Sequence, residues 1–106
     1  MDVTLRYRAE EDVLDARFDS GAPTRRVQLA TGTEAAFDGS RRLSQLTIEH
    51  FSRFHDFVPL GDAIGVEGIT AISQFQIDAL QGRRRRTVTL NPKPLSRRKL
   101  DHLTAA

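Results

Sequence analysis

The residues best suited to chemistry are four consecutive arginines, Arg83 to Arg86, which are followed by a second basic segment. One guanidinium group can donate two parallel hydrogen bonds to a phosphate or carboxylate group. A row of arginines along one edge of a domain therefore favours an anionic partner. Four adjacent like charges also repel one another unless solvent or an anion surrounds them. The candidate residues for binding a partner or a nucleic acid are Arg83, Arg84, Arg85, Arg86, Arg97, Arg98 and Lys99.

Three interpretations fit this basic tail. The leading one is a protein partner, or a second copy of the chain, that presents acidic residues. The alternative is a nucleic acid, which arginines can hold through phosphates without reading bases. No aromatic residue is interleaved with the arginines, Tyr7 is the chain's single Tyr, and there is no Trp, so a base-stacking platform is not indicated. The third interpretation is a solvated segment that pairs with acids of the same chain.

The overall charge conceals the tail. The 106 residues include 16 Lys+Arg and 14 Asp+Glu, for a net charge of +2. Residues 1–62 hold 11 acidic and 8 basic residues, whereas residues 63–106 hold 3 acidic and 8 basic residues. An acidic first part is therefore joined to a basic tail.

Catalytic and metal-binding patterns are weak elsewhere. The absence of cysteine excludes disulfides, thiolate zinc sites and cysteine nucleophiles. His50 and His55 are five residues apart, unlike a chelating pair on a helix. The glycines at 61, 65 and 68 lack the Lys-Ser/Thr ending of a phosphate loop, so they predict a flexible connection.

Carboxylates offer the one remaining route to catalysis. The acidic group is expected to form a solvated turn at a hairpin tip, and an enzyme built on it is the least favoured function. Its members are Glu10, Glu11, Asp12 and Asp15. No serine lies in a Gly-x-Ser-x-Gly elbow. We therefore predict a non-enzymatic protein that needs no cofactor.

The first half of the chain predicts strands. Apolar and polar residues alternate with a period of two in short runs that end at turn residues. Asp38-Gly39-Ser40 predicts a hairpin in which Gly39 supplies a positive φ. Residues 1–51 are thus expected to form an antiparallel β-meander with one buried face. The predicted strands are Asp2–Arg8, Val13–Asp19, Thr24–Thr31, Thr33–Phe37 and Leu43–Phe51.

Residues 52–106 are expected to cover that buried face. The spacing of Phe51, Phe54, Phe57 and Val58 predicts a short helical turn that ends at Pro59, and a loop follows over Leu60–Gly65. Residues 68–80 fit either a strand or a helix with the stripe Ile69, Ile72, Gln76 and Leu80, and the helix is favoured. A strand is predicted over Thr87–Leu90, and a final helix capped by Ser96 is predicted to run through His102, docked by Leu100 and Leu103.

These elements predict a single α+β domain over residues 1–106, a length typical of one domain. No apolar run is long enough to cross a membrane, and the first residues lack the pattern of a signal peptide. A soluble, cytoplasmic protein is therefore expected. A small sheet with an uncertain cover would gain stability from a second copy, so a homo-oligomer is also predicted.

Two segments of the first half resemble a known family. Tyr7–Phe18 is similar to the pattern Y-D-x-E-x-D-x-L-Y, and Phe37–Glu49 is similar to the hairpin D-x-x-G-R-[LI]-V-G-I-E-I-L. Both patterns are typical of the small bacterial domain-of-unknown-function family 2283, and the resemblance covers roughly residues 3–50. The chain departs from the family at Arg8, Asp15, Gln45 and Thr47, where the family has Asp, Tyr, Gly and Glu.

The resemblance implies a compact β-meander domain. It also implies a place in a two-gene module of the toxin and antitoxin type, in which this protein would be an antitoxin-like binder rather than a catalyst. The chain after Phe51, which includes the basic tail, lies outside the resemblance.

Overall fold

A six-stranded antiparallel sheet and three α-helices make up the protein in a computed structural model that describes residues 1–30 and 32–104. The predicted α+β class is thereby confirmed. The last residue of the predicted strand Thr24–Thr31 lies outside the described residues. The elements in chain order are β1 (Asp2–Arg8), β2 (Val13–Phe18), β3 (Arg25–Ala30), β4 (Thr33–Phe37), β5 (Leu43–Glu49), a 3₁₀ turn (Phe51–Arg53), α1 (Phe57–Ile64), β6 (Val66–Glu67), α2 (Thr70–Leu80), β7 (Arg85–Thr89), β8 (Asn91–Pro92) and α3 (Arg97–Thr104).

The strand order in the sheet is β3-β4-β5-β2-β1-β7. All five strands predicted in the first half are present, but they do not follow one another as a single meander. The hairpin of β1 and β2 docks against β5, where Leu14 lies opposite Ile48 and Ala16 opposite Leu46. This register places apolar side chains of both strands on the same face, which accounts for the pairing of β2 with β5 rather than with β3. The second half adds β7 beside β1.

The turn between β4 and β5 is built differently from the expected Asp-Gly hairpin. Gly39 does not have a positive φ, whereas Arg41 does, at 63°. The buried Asp38 carboxylate accepts hydrogen bonds from the backbone N–H groups of Ser40 at 2.8 Å and Arg42 at 3.1 Å. Asp38 therefore organises the turn through its side chain, as short polar residues do in Asx turns. The strained backbone at Arg41 is held by its Nε, which donates to the carbonyl of Leu95 at 2.7 Å.

One face of the sheet is covered by α1, α2 and the 3₁₀ turn. Phe51 is fully buried at the centre of this layer, with its ring 5.7 Å from that of Tyr7, 6.2 Å from Phe57 and 6.4 Å from Phe75. Aromatic rings at these separations prefer tilted and edge-on arrangements, which is what the cluster shows. The cover predicted for the second half is thus supplied by the chain itself.

Helix α1 corrects two predictions. Pro59 lies in its first turn, where a missing N–H leaves no helical hydrogen bond unmade, so the proline opens this helix instead of ending one. The predicted loop Leu60–Gly65 is helical as far as Ile64. Gly61 is buried beneath Ile69, and Gly65 ends the helix with φ 74°. The glycines at 61 and 65 serve close packing and helix termination rather than a flexible connection.

The two later helices agree with the sequence in most respects. The helix favoured for residues 68–80 is present as α2, which buries Ile72, Phe75 and Ala79, whereas Leu80 is exposed and falls outside the buried stripe. In α3, the predicted cap is confirmed, because Ser96 Oγ accepts the N–H of Lys99 at 3.1 Å. Leu100 of that helix is buried against the rest of the protein.

The hydrophobic core is complete within a single chain. Apolar side chains of the sheet, both covering helices, Leu90, Leu95 and Leu100 form one buried cluster. The covering helices remove one reason for expecting a homo-oligomer, an uncovered apolar sheet face, and the homo-oligomer itself stays a prediction. In the described part of the chain, no helix combines the length and apolar character needed to span a membrane.

Candidate functional site

The arginine run begins in the connection after α2 and continues into the outermost strand of the sheet. Gly82 leaves α2 with φ 110°, and the N–H of Arg83 donates to the carbonyl of Asp78 at 3.0 Å. Arg85 and Arg86 are the first two residues of β7, which begins two residues before the predicted strand. All four arginine side chains are exposed.

Strand geometry divides the run between the two faces of the sheet. Neighbouring side chains on a strand point to opposite faces. Arg86 lies opposite the core residue Leu5, and it pairs with Asp78 of α2 at 2.8 Å. Arg85 lies opposite Arg6 on the open face. The four guanidinium groups therefore do not form one row, in contrast to the simplest interpretation of the sequence.

The outer edge of β7 is not paired with any other strand in the described residues. Tyr7 N–H donates to Arg84 O at 2.8 Å, and Leu90 N–H donates to Met1 O at 3.0 Å. Backbone groups along an antiparallel strand point alternately to either side, so Arg84, Arg86, Val88 and Leu90 face β1. The N–H and C=O groups of Arg85 and Thr87 consequently point outward, away from the sheet. At Thr89 the edge is closed, because β6 pairs with β8 just beyond it and the carbonyl of Thr89 lies beside Gly68.

A cavity of about 370 Å³ lies at the end of this edge, beside the turn between β1 and β2. A second depression of about 180 Å³ adjoins it on the open face and is lined by Thr4, Arg6, Asp15, Arg17 and Arg85. Arg6 and Arg85 line both. The larger cavity is lined by Arg6, Tyr7, Arg8, Ala9, Glu10, Arg84 and Arg85.

Most of the cavity's arginines have no acidic partner. Arg8 is neutralised, since its Nη1 lies 2.7 Å from Glu11 and its Nε 2.9 Å from Asp15. That Nε is buried, and its contact with Asp15 is an ion pair without hydrogen-bond geometry. Arg6, Arg84 and Arg85 form no ion pair with any residue in the described ranges.

The acidic turn next to the cavity is only partly the solvated turn that was expected. Glu10 and Glu11 are exposed. Asp12 instead has φ 57°, and its carboxylate accepts hydrogen bonds from Tyr7 Oη at 2.7 Å, Ser52 N at 2.9 Å and Ser52 Oγ at 2.7 Å. Asp12 thus ties the β1–β2 turn to the 3₁₀ turn and has a structural role.

Both partners of this contact titrate abnormally. The hydrogen bond to the Asp12 carboxylate, together with burial and the charge of Asp12, raises the pKa of Tyr7 to about 12, and Arg84 opposes the change. Burial acts to raise the pKa of Asp12, but the hydrogen bonds from Ser52 and Tyr7 outweigh it and hold that pKa below its usual value. The contact is therefore strongest with Tyr7 protonated and Asp12 ionised.

The second basic segment lies at the other edge of the sheet. Helix α3 packs against β3, with Asp101 bound to Arg25 at 3.0 Å. Arg97, Arg98 and Lys99 are exposed there, and Lys99 Nζ donates to the carbonyl of Asp62 at 2.7 Å. Since β3 and β7 are the two outermost strands, these residues do not share a surface with Arg83–Arg86. The seven predicted residues therefore lie in two separate groups at opposite edges of the sheet.

The remaining candidates do not come together. His50 and His55 are exposed, and no group of three or more His, Asp or Glu side chains within residues 1–30 and 32–104 is arranged to hold a metal ion. The sequence did not single out Arg6 and Arg17, two further basic residues that line the depressions beside Arg85. Their alternation with the core residues of β1 and β2 placed them on the open face, but the pairing of β1 with β7 was needed to bring Arg85 beside Arg6.

Comparisons with models of protein families, with curated proteins and with solved structures find no significant match, so the resemblance noted above stays a prediction.

Proposed function

We propose that the protein is a non-enzymatic binding module that engages an acidic, extended segment of a protein partner by strand addition along β7. The observation that carries this proposal is the edge of β7 at Arg85 and Thr87, whose outward backbone groups pair with no other strand among the described residues. An exposed edge of this kind is a ready template for an incoming strand.

Charge determines which strand the edge accepts. Arg84 and Arg85 lack acidic partners among the described residues, and Arg6 lies directly beside Arg85. A segment with carboxylates at alternate positions would neutralise these arginines while its backbone pairs with β7. Pairing with β7 of a second copy would instead bring two sets of arginines together, and their like charges would repel one another. The edge therefore favours an acidic partner over self-pairing, as basic residues on edge strands commonly do.

A nucleic acid is supported less well by this geometry. Among the described residues, the open face around Arg85 carries no aromatic side chain on which a base could stack. Arg86 already forms an ion pair with Asp78, and the basic residues of α3 lie at the opposite edge of the sheet. Phosphate contacts would also leave the free backbone groups of β7 unused. The antitoxin-like role implied by the family resemblance is one setting for such a module, and it stays a prediction.

The test uses a synthetic nine-residue peptide of alternating Glu and Val, with a Lys and Val peptide of the same length for comparison. Thr87→Pro removes an outward N–H without breaking a hydrogen bond to β1, since proline is tolerated in an edge strand at such a position. Thr87→Val keeps the N–H and is the matched control. Wild type and Thr87→Val should bind the acidic peptide, and Thr87→Pro should not.

Two outcomes would overturn the proposal. One is equal binding of the acidic peptide by Thr87→Pro and Thr87→Val, because the edge backbone would then be irrelevant. The other is salt-sensitive retention of single-stranded or duplex nucleic acid that Thr87→Pro leaves unchanged, with no binding of the acidic peptide. That second result would favour the nucleic-acid function instead.

A further inference from the structure

The cavity at the end of β1 and β7 has the charge of an anion site. Its lining includes four arginines and one acid, Glu10, which is exposed. Arg8 is already neutralised by Glu11 and Asp15, so the charges of Arg6, Arg84 and Arg85 remain unbalanced. The cavity is also large enough, at about 370 Å³, to hold more than a single small anion.

The placement of Arg6 opposite Arg85 destabilises the sheet when no anion is bound between them. These two residues are direct neighbours across β1 and β7. They occupy a non-hydrogen-bonded position of the ladder, where opposed Cα atoms are only about 4.5 Å apart. Like charges at such positions destabilise a sheet, whereas an acid opposite an arginine would stabilise it. A bound anion removes this conflict, and local conflicts of this kind are typical of functional sites.

Arg84 is fixed at the same place by the backbone. Its carbonyl accepts the N–H of Tyr7 at 2.8 Å, which secures the residue immediately before β7 to the end of β1. The Tyr7 side chain is in turn held by Asp12 at 2.7 Å. The backbone that carries Arg84 is therefore held in place at the end of the edge. The cavity lies at this end of the sheet, where Arg84, from the covered side, and Arg6 and Arg85, from the open side, all line it.

We propose that this cavity binds the dianionic phosphate group of a phosphate monoester through Arg6, Arg84 and Arg85. A guanidinium group donates two parallel hydrogen bonds to phosphate oxygens, and a phosphate monoester offers three such oxygens and nearly two negative charges near neutral pH. A single carboxylate would leave two of the three arginines unbalanced. Glu10 contributes one negative charge that repels an anion, but the three positive charges of Arg6, Arg84 and Arg85 outweigh it.

The site goes beyond the proposed partner binding and does not depend on it. Strand addition needs the outward backbone of Arg85 and Thr87 in addition to the charges of the arginines, whereas the phosphate would be held by the arginine side chains alone. Thr87→Pro should therefore leave phosphate binding in place, so either proposal can fail while the other stands.

The experiment measures thermal unfolding with inorganic phosphate, with a nucleoside 5′-monophosphate, and with chloride at equal ionic strength. Arg6→Gln and Arg84→Gln test the site, and Arg98→Gln, an exposed arginine at the opposite edge, is the matched control. Phosphate and the monophosphate should raise the Tm of wild type and Arg98→Gln beyond the effect of chloride. In each site variant the apparent Kd should be about tenfold weaker, the scale of one lost charge-assisted hydrogen bond.

Arg6→Gln provides a second readout. In phosphate-free buffer its Tm should equal or exceed that of wild type, because the variant relieves the repulsion with Arg85. A residue with only a structural role would lower the Tm in both buffers, which would contradict the proposal. Equal phosphate effects in Arg6→Gln, Arg84→Gln and Arg98→Gln would overturn it as well. An effect confined to inorganic phosphate would show that the cavity excludes an ester.

Discussion

Ionisation of Tyr7 provides a direct test of the contact that ties the β1–β2 turn to the covering layer. The chain has one Tyr and no Trp, so tyrosinate absorbance near 295 nm reports this residue alone. The Tyr7 hydroxyl donates to Asp12 at 2.7 Å, and its pKa rises from 10.0 to about 12. Because solvent screens part of this interaction, the change corresponds to about 1–2 kcal/mol favouring the protonated phenol, less than the full conversion at about 1.4 kcal/mol per tenfold change in ionisation.

The perturbation is Asp12→Asn. Asparagine tolerates the φ of 57° and keeps one carbonyl acceptor, but it removes the charge. The Asp12 hydrogen bond is the largest cause of the raised pKa, and the Asp12 charge adds to it. The tyrosinate midpoint should therefore move from about 12 in wild type back toward 10.0 in the variant. Glu11→Gln removes a neighbouring exposed acid and should leave the midpoint unchanged.

The same values predict the alkaline stability of the fold. A raised pKa in the folded state contributes stability that is complete below the unfolded pKa of 10.0 and is lost as pH rises toward about 12. Urea unfolding followed by circular dichroism at several pH values should show this loss in wild type and much less of it in Asp12→Asn. A wild-type midpoint near 10.0 in protein that is still folded would refute the reasoning, as would an unchanged midpoint in Asp12→Asn.

Three further predictions concern stability. Gly61→Ala should cost about 1–3 kcal/mol in urea unfolding, because its Cβ would lie 3.0 Å from Ile69 Cγ2, whereas Gly39→Ala, with nothing within 4 Å, should be nearly neutral. Gln76→Glu should cost about 2 kcal/mol or more, since it replaces the amide that donates two 2.6 Å hydrogen bonds to backbone carbonyls, and Gln76→Ala should cost less. Asp12 has a lowered pKa, so its contribution should be present above pH 3.8 and disappear as pH falls through the folded-state value, and Asp12→Asn should flatten that part of the acid unfolding curve.

Local patterns predicted the strands well but not their order. The alternation in β1, β2 and β5 identified the buried residues, because each strand has one covered face. Pairing between distant strands depends on which apolar faces match, and several orders satisfy the same alternation. The docking of β2 on β5 therefore became visible only in the structure.

The helical half was harder to predict because Pro59 and Gly61 are each compatible with two different local structures. Pro59 marks the end of a helix when it follows one, but it also suits the first turn of the next helix. Gly61 looks like a loop residue, yet the close approach of Ile69 requires a small residue inside α1. A single sequence does not distinguish these alternatives.

The candidate site was predicted in part. The sequence identified the arginine run, and it placed Arg6 on the polar face of β1. It could not show that Arg85 faces Arg6, or that Asp12 contacts Ser52 forty residues further along the chain. The first contact depends on β7 pairing with β1, and the second depends on β5 pairing with β2. Local patterns do not encode such long-range pairings.

Hydrogen exchange at the edge of β7 tests the central claim most directly. With the acidic Glu and Val peptide added, the amides of Arg85 and Thr87 should exchange more slowly, as residue-resolved NMR would show. The amides of Arg86 and Val88 already face β1 and should change little. Slower exchange in the alternating pattern would support strand addition. Unchanged exchange at these two outward amides when the peptide is added would contradict it.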